Sequence, residues 1–419
     1  MDLNQQMRVL AEAARQGARG MAKAGGAAKN EALLSLAALL DARREDIFAA
    51  NRADVEQARQ GGLDEPKIDR LTITPRVVDS MIQACREVAA QDDPVGAIET
   101  MWQRPNGLLV GRMRIPLGVV CMIYESRPNV TVDAAILCLK AGNAVILRGG
   151  SEAFRSNTLL ASLLGEALTR AGLPASAATL VPTTERAAVT ALLKMDELID
   201  VVIPRGGEGL IRAVVEQATM PVLKHYKGVC HAYVDQGADL AQALDIVFNG
   251  KCQRPGVCNA LEGLLVHADA AGEFLPMVAE RLGEAGVEFR ACPRALPLLG
   301  HRAVPARDSD WGFEFHELIM AVKVVDSQDE AQEHIARHGS NHTEVIVSRD
   351  HERIMRFLRE VDASMVAANA SSRFNDGGEL GLGAEIGIST SKLHAYGPMG
   401  ARELTSCKFV VLGKGQVRT

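Results

Sequence analysis

Aromatic residues are scarce in this chain of 419 residues. They make up 4%, with two tryptophans and four tyrosines. Its cores must therefore be built from Ala, Val, Leu and Ile, as in many helix-covered parallel sheets. No apolar run reaches the ~18–20 residues that cross a bilayer, so no membrane span is expected. The stretch from Met1 to Arg19 is interrupted by charged and polar residues and lacks the apolar centre of a secretory signal. Positive charge is in deficit. A net charge of −6 argues against general affinity for nucleic acid or an anionic membrane. The cysteines, at 85, 121, 138, 230, 252, 258, 292 and 407, include no CxxC pair. Their wide spacing gives no metal site and fits reduced thiols in a cytoplasm. The length exceeds one ordinary core, so two or more domains are expected.

What is present changes character along the chain. Up to Ala89 the pattern is helical and Ala-rich, with separate helices expected over Arg43–Ala50 and Arg52–Gln60 and another opened by Thr74-Pro75. Residues 106–116 read as an extended arm or hairpin with a basic edge, and Phe409–Leu412 as a terminal strand able to pair with it. From Gly118, Val- and Ile-rich runs alternate with helical segments, the mark of βαβ units and a parallel sheet. Such sheets bind ligands at the carboxyl ends of their strands. Two of those ends carry Gly-rich turns beside an arginine, Arg148-Gly-Gly-Ser151 and Arg205-Gly-Gly207. Neither is a GxGxxG word, but each can present backbone N–H groups to a phosphate. A second alternation from Tyr233 to Val361 predicts a second α/β domain, and the Gly-rich tail from Asn369 reads as loops wrapping a site.

One short stretch concentrates the chemistry. Lys251-Cys-Gln-Arg-Pro-Gly-Val-Cys258-Asn-Ala260 lies between a helix expected over Leu240–Phe248 and a strand over Leu261–His267. A tight Pro-Gly turn there can expose the Cys258 thiol and aim a backbone N–H at whatever it attacks.

These words together resemble the aldehyde dehydrogenase superfamily. The resemblance rests on Pro116-Leu-Gly-Val-Val120, Leu139-Lys-Ala-Gly-Asn143, the cysteine after Gln253-Arg-Pro-Gly256, and the segment from Glu314 to Asp350. Tyr124-Glu-Ser-Arg-Pro-Asn129, Ile203-Pro-Arg-Gly-Gly207, Ala370-Ser-Ser-Arg-Phe374 and Gly383-Ala-Glu-Ile-Gly-Ile-Ser389 point to the branch that reduces an acyl phosphate. The resemblance implies an α/β fold with three parts. These are a Rossmann-like cofactor domain (residues 1–105 and 117–230), an α/β catalytic domain (231–392) and a small β oligomerisation arm (106–116 and 393–419). It implies NADPH as cofactor, L-glutamyl 5-phosphate as substrate, glutamate 5-semialdehyde as product, a homo-oligomer, and glutamate 5-kinase as a candidate partner.

The implied roles are specific. Cys258 is the nucleophile, with its own amide as one oxyanion donor and Ser126 or Asn129 as the other. Arg127, Arg254, Asn369, Ser372 and Arg373 are candidates for the substrate's carboxylate and phosphate, because arginine binds both bidentately. Arg254 could instead lower the thiol pKa. Arg148, Ser151, Glu152, Arg205, Gly206 and Gly207 are candidates for the cofactor, with Glu317 or Glu314 at the nicotinamide ribose. Hydrolytic members carry a water-activating Glu where this chain has Lys224-His-Tyr-Lys-Gly228, with His225 or a neighbour in its place. With no carboxylate there, a thioester is expected to meet hydride or phosphate, not water.

Overall fold

The computed structural model describes residues 1–418, so Thr419, the last residue of the expected arm, lies outside the described residues. The chain divides into two compact units. One comprises Met1–Lys224, Gly381–Gly387 and Met399–Thr419, and the other His225–Leu380 and Ile388–Pro398.

The first unit opens with five helices: α1 (Leu3–Met21), α2 (Gly26–Ala42), α3 (Arg44–Gln60), α4 (Glu65–Leu71) and α5 (Pro75–Ala90). Thr74 caps α5 by accepting from the Val77 amide, with Pro75 at the first position, where its missing N–H costs nothing. The two helices expected between Arg43 and Gln60 are one. Nothing between Ala50 and Arg52 breaks it, and Asn51, which looks like an interruption, is buried and uses its side chain elsewhere. Its Nδ2 donates to the Leu71 carbonyl at 2.9 Å and its Oδ1 accepts from the Ile73 amide at 2.7 Å. The helix α4 is an addition to the expected set.

Next come β1 (Ile98–Gln103), β2 (Leu109–Pro116), β3 (Val119–Tyr124), α6 (Val130–Lys140), β4 (Ala144–Arg148), α7 (Phe154–Arg170), β5 (Ala178–Leu180), α8 (Arg186–Leu192), β6 (Val201–Arg205) and α9 (Glu208–Gln217). Strands β5-β4-β3-β6 form a parallel sheet in that order. Each residue of β3 is buried, as its unbroken apolar run requires. The expected hairpin starts earlier than residue 106, at Ile98. Strand β2 pairs antiparallel with β1 on one side and with the terminal strand Thr405–Leu412 on the other.

The second unit holds β7 (Cys230–Val234), α10 (Leu240–Cys252), β8 (Leu261–His267), α11 (Ala268–Glu284), β9 (Glu288–Ala291), α12 (Leu296–Leu299), β10 (Ala303–Pro305), β11 (Ile319–Val325), α13 (Gln328–His338), β12 (Thr343–Val347), α14 (His351–Glu360) and β13 (Met365–Ala368). Its seven strands run β10-β9-β11-β8-β7-β12-β13, all parallel. The short β10 and β13 at the two edges were not evident in the sequence. Among the described residues, no helix is long and apolar enough to cross a membrane.

Candidate active site

In the second unit, Asp239 caps α10 by accepting from the Gln242 amide, and α10 carries the chain to Cys252. Its end is four residues later than Phe248. The turn from Gln253 to Ala260 then delivers Cys258, half-buried, just ahead of β8. The tail segment 371–375 clasps this turn. The fully buried Ser372 donates from Oγ to the Asn259 carbonyl at 2.7 Å. Asn259 donates from Nδ2 to the Asn375 carbonyl at 2.9 Å. Arg373 donates from Nε to Gln253 Oε1 at 2.8 Å. Burial pushes the Arg373 guanidinium down from its usual range, while Asp376 and a Cys258 thiolate act in the opposite sense. Arg254 stands exposed on the turn itself. Thus Cys258, Ser372, Arg373 and Arg254 are brought together. Asn369 serves the backbone: its Oδ1 accepts from the Ser348 amide and its Nδ2 donates to the Ser348 carbonyl, both at 3.0 Å.

The entry to β7 packs beneath the same turn. A Cβ on Gly228 would lie 1.9 Å from the Cys258 carbonyl oxygen, a clash that only glycine avoids. The Cys230 thiol donates to that oxygen at 3.2 Å.

The pairing of β7 with β8 slips at its start. Cys230 faces Leu261 and His231 faces Gly263, so Glu262 is the extra residue. Such slips redirect a side chain. Here the carboxylate goes inward to Lys251 Nζ at 2.7 Å, with both side chains at most 1% exposed. Burial pushes Glu262 up to about 7 and pushes Lys251 down. The other Glu262 oxygen accepts from the His316 amide at 3.2 Å, anchoring the loop that bears Glu314 and Glu317. Glu317 is exposed, whereas the Glu314 side chain is 12% exposed and lies 3.4 Å from His316 Nε2. A second buried carboxylate, Glu344, accepts from the His231 amide at 3.1 Å and lies 3.1 Å from its Nδ1. The His225 ring is 5.9 Å from that of His342.

In the first unit, parallel register sets Ile123 beside Arg148 and Tyr124 beside Arg205. Both arginines therefore end their strands level with the end of β3. The loop leaving β3 is stitched to both Gly-rich turns. The Ser126 amide and hydroxyl donate to Glu152 Oε1 at 2.7 and 2.8 Å. Glu125 accepts from the Gly207 amide at 3.0 Å. A Cβ on Gly206 would come within 2.3 Å of Glu125 Oε2 and would push that side chain aside. Ser151 is exposed at the start of its turn and Arg127 half-buried on the β3 loop. Asn129, at the N-cap of α6, turns its Nδ2 to Asp133 at 2.8 Å.

A nicotinamide dinucleotide needs donors and positive charge for its phosphates. These turns offer both. Arg148 donates to the carbonyls of Gly149 and Thr184 at 2.8 and 2.9 Å, and its Nε is buried without a partner. The residues fit such a group.

One unit thus has a parallel sheet with cation-bearing turns, and the other a cysteine in a clasped turn. The chain belongs to the aldehyde dehydrogenase family, whose model matches residues 3–289. Within that family its relatives share a particular name. It is 69% identical, over 100% of both chains, to the gamma-glutamyl phosphate reductase of Solidesulfovibrio magneticus. The crystal structure of gamma-glutamyl phosphate reductase from Thermotoga maritima is 45% identical, with a TM-score of 0.95, over 99% of this chain and 100% of that one. An acetylating aldehyde dehydrogenase from Geobacillus thermoglucosidasius, 18% identical, shares the fold at a TM-score of 0.71, over 100% of this chain and 98% of that one.

Reading the sequence found Cys258 and its clasp but missed Gly228, Cys230, Glu262 and Asn259. A buried glutamate inside the apolar run of β8 was the available signal for Glu262. The others depend on pairings between distant strands.

Proposed function

We propose that the chain reduces L-glutamyl 5-phosphate to L-glutamate 5-semialdehyde with release of phosphate, using NADPH, in proline synthesis from glutamate. The Cys258 thiolate attacks the acyl carbonyl and expels phosphate, leaving a thioester on sulfur. The Cys258 backbone N–H is the natural donor to the oxyanion; of the two candidates for the second, Ser126 gives both its donors to Glu152, which favours Asn129, whose Nδ2 carries a second hydrogen. Arg373, Arg254 and Arg127 are the substrate's cation partners, with Ser372 holding the Asn259 carbonyl and Asn369 the Ser348 backbone. The nicotinamide cofactor supplies the hydride that reduces the thioester. Arg148, Ser151, Glu152, Arg205, Gly206 and Gly207 are the residues for its phosphates and ribose, and Glu317 or Glu314 for the second ribose.

The observation that carries this reading is the setting of Cys258. The segment 224–228, whose Gly228 packs on its carbonyl, contains no carboxylate. Two buried carboxylates of the same unit are also occupied, Glu262 by Lys251 and Glu344 by His231. A hydrolytic aldehyde dehydrogenase, the alternative, needs a free base for water. Semialdehyde oxidation by NADP, with and without inorganic phosphate, separates the two. Phosphate-dependent turnover supports the reductase, and turnover without phosphate removes it.

The homo-oligomer reading rests on the arm, where Trp102, Phe409, Val411 and Leu412 are 38%, 65%, 54% and 61% exposed. Light scattering tests it, and a monomer at micromolar concentration would refute it. Handover from glutamate 5-kinase follows from substrate chemistry, since the free amine can attack its own activated carbonyl. Unchanged leakage of the intermediate when the two enzymes are mixed would count against it.

A further inference from the structure

We infer that Cys230 is a positioning residue for the Cys258 nucleophile, acting with Gly228 through the Cys258 carbonyl. The inference rests on the reading of Cys258 as the nucleophile.

Cys230 opens β7 and is fully buried. Its sulfur donates to the Cys258 carbonyl oxygen at 3.2 Å. Two other side chains meet the sulfur: Thr343 hydrogen-bonds it, and His342 Nδ1 is farther away at 3.7 Å and lies 2.8 Å from Thr343 Oγ1. The Cys258 oxygen is therefore the nearer acceptor for the single thiol proton. Burial pushes the Cys230 thiol well up from its ordinary range, so it stays protonated and remains a donor.

Two further contacts restrict the backbone here. Gly228 brings backbone so close to the Cys258 carbonyl that a Cβ there would sit 1.9 Å from its oxygen and 2.6 Å from its carbon. On the other side, Ser372 holds the next carbonyl, that of Asn259, at 2.7 Å. The peptide joining Cys258 to Asn259 is thus held at the Cys258 carbonyl by Cys230 and Gly228, and the next peptide, at the Asn259 carbonyl, by the tail segment. A displacement of the Cys258 carbonyl would carry the Cys258 Cα with it and re-aim the Cα–Cβ bond that bears the sulfur. Displacements of about 1 Å at a reacting atom cost up to roughly 10²-fold in rate. Cys230 touches no reacting atom, so its effect passes through Cys258.

The test compares Cys230→Ala with Cys230→Ser, which keeps an O–H donor, and uses Cys258→Ala as a control. Semialdehyde oxidation with phosphate gives kcat and KM. The rate of Cys258 carboxymethylation by iodoacetate is read on its own peptide by mass spectrometry. Cys230→Ala is expected to lower kcat and the carboxymethylation rate together by roughly tenfold, the scale of one lost hydrogen bond, with both KM values within about twofold. Cys230→Ser is expected to recover most of that loss. Parental kcat and carboxymethylation rate in Cys230→Ala would overturn the inference, and so would a Ser variant as impaired as the Ala variant. Turnover in Cys258→Ala is a different failure. It would remove the nucleophile reading, and the inference would fall with it.

Discussion

Glu152 Oε1 accepts two hydrogen bonds from Ser126, one from its amide at 2.7 Å and one from its hydroxyl at 2.8 Å. One oxygen thus secures the loop after β3 to the turn after β4. Ser126 has φ of 45°, the left-handed region that L side chains avoid. The carboxylate offsets that conformational cost. Ser126→Ala should destabilise the protein more than Ser126→Gly, although both lose the hydroxyl. The expected gap is about 1 kcal/mol, since glycine tolerates the left-handed region and alanine does not. Urea unfolding of both variants checks this, and equal losses would show that the backbone there is unstrained.

The Lys251–Glu262 pair predicts an asymmetry. Lys251→Met leaves a buried carboxyl without its partner and should cost roughly 3–5 kcal/mol. Adding Glu262→Gln removes the uncompensated charge and should restore much of that loss. If the double variant were less stable than Lys251→Met, the pair would not be the unit described here. The measurement is a double-mutant cycle in denaturant unfolding.

His334 makes the second unit acid-sensitive. It packs edge-on against His231 and Trp311, with ring centroids at 5.6 and 5.4 Å. Burial first, then the neighbouring charges of His231, His338, Lys323 and Arg337, push its pKa down from 6.5 to about 2. The folded protein holds it neutral, while the unfolded chain binds a proton below about pH 6.5. Its contribution is therefore intact above that pH and is lost as pH falls. The loss is about 1.4 kcal/mol per pH unit in the window below pH 6.5. Between about pH 7 and 5.5, His334→Gln should lose roughly 1 kcal/mol less stability than the parent. Identical slopes for the two proteins would mean that His334 is protonated in the fold.

Arg373 should separate substrate from cofactor. Its guanidinium lies close enough to sense a Cys258 thiolate, and it is tied to Gln253 on the nucleophile's own turn. Arg373→Ala is expected to raise KM for the acyl phosphate by roughly 10–100-fold, the scale of a lost charged contact. KM for NADPH should stay within about twofold. Steady-state kinetics with each substrate varied in turn decides it, and a matching rise in both would assign Arg373 a general structural role.

Much of this was legible before any coordinates. β8 and β9 fall where their apolar and alternating runs lie: Pro255-Gly256 precedes β8, and Gly286 and Pro293 bracket β9. Cys258 was legible because a Pro-Gly turn between a helix and a strand is a local signal. What stayed hidden depends on register. Glu262 reads as an ordinary strand residue until the slip between Cys230 and His231 shows that it has no partner across the pair. Ser126 and Glu152 were read as serving different ligands. Their mutual bonds cross 26 positions of sequence and leave no periodic trace. Asn51 misled because asparagine favours turns, and only its burial against residues 71 and 73 shows why the helix continues.

The pairing of β2 with the terminal strand has a consequence for synthesis on the ribosome. Leu109 to Pro116 emerge early, yet their partners, Leu412 back to Thr405, emerge only after all of the second unit. Until then one edge of β2 carries unpaired backbone groups, an open template for another chain. The first unit therefore completes its fold only after the whole second unit has been translated. Premature termination within the last strand leaves a molecule with an intact thiol turn and an adhesive edge.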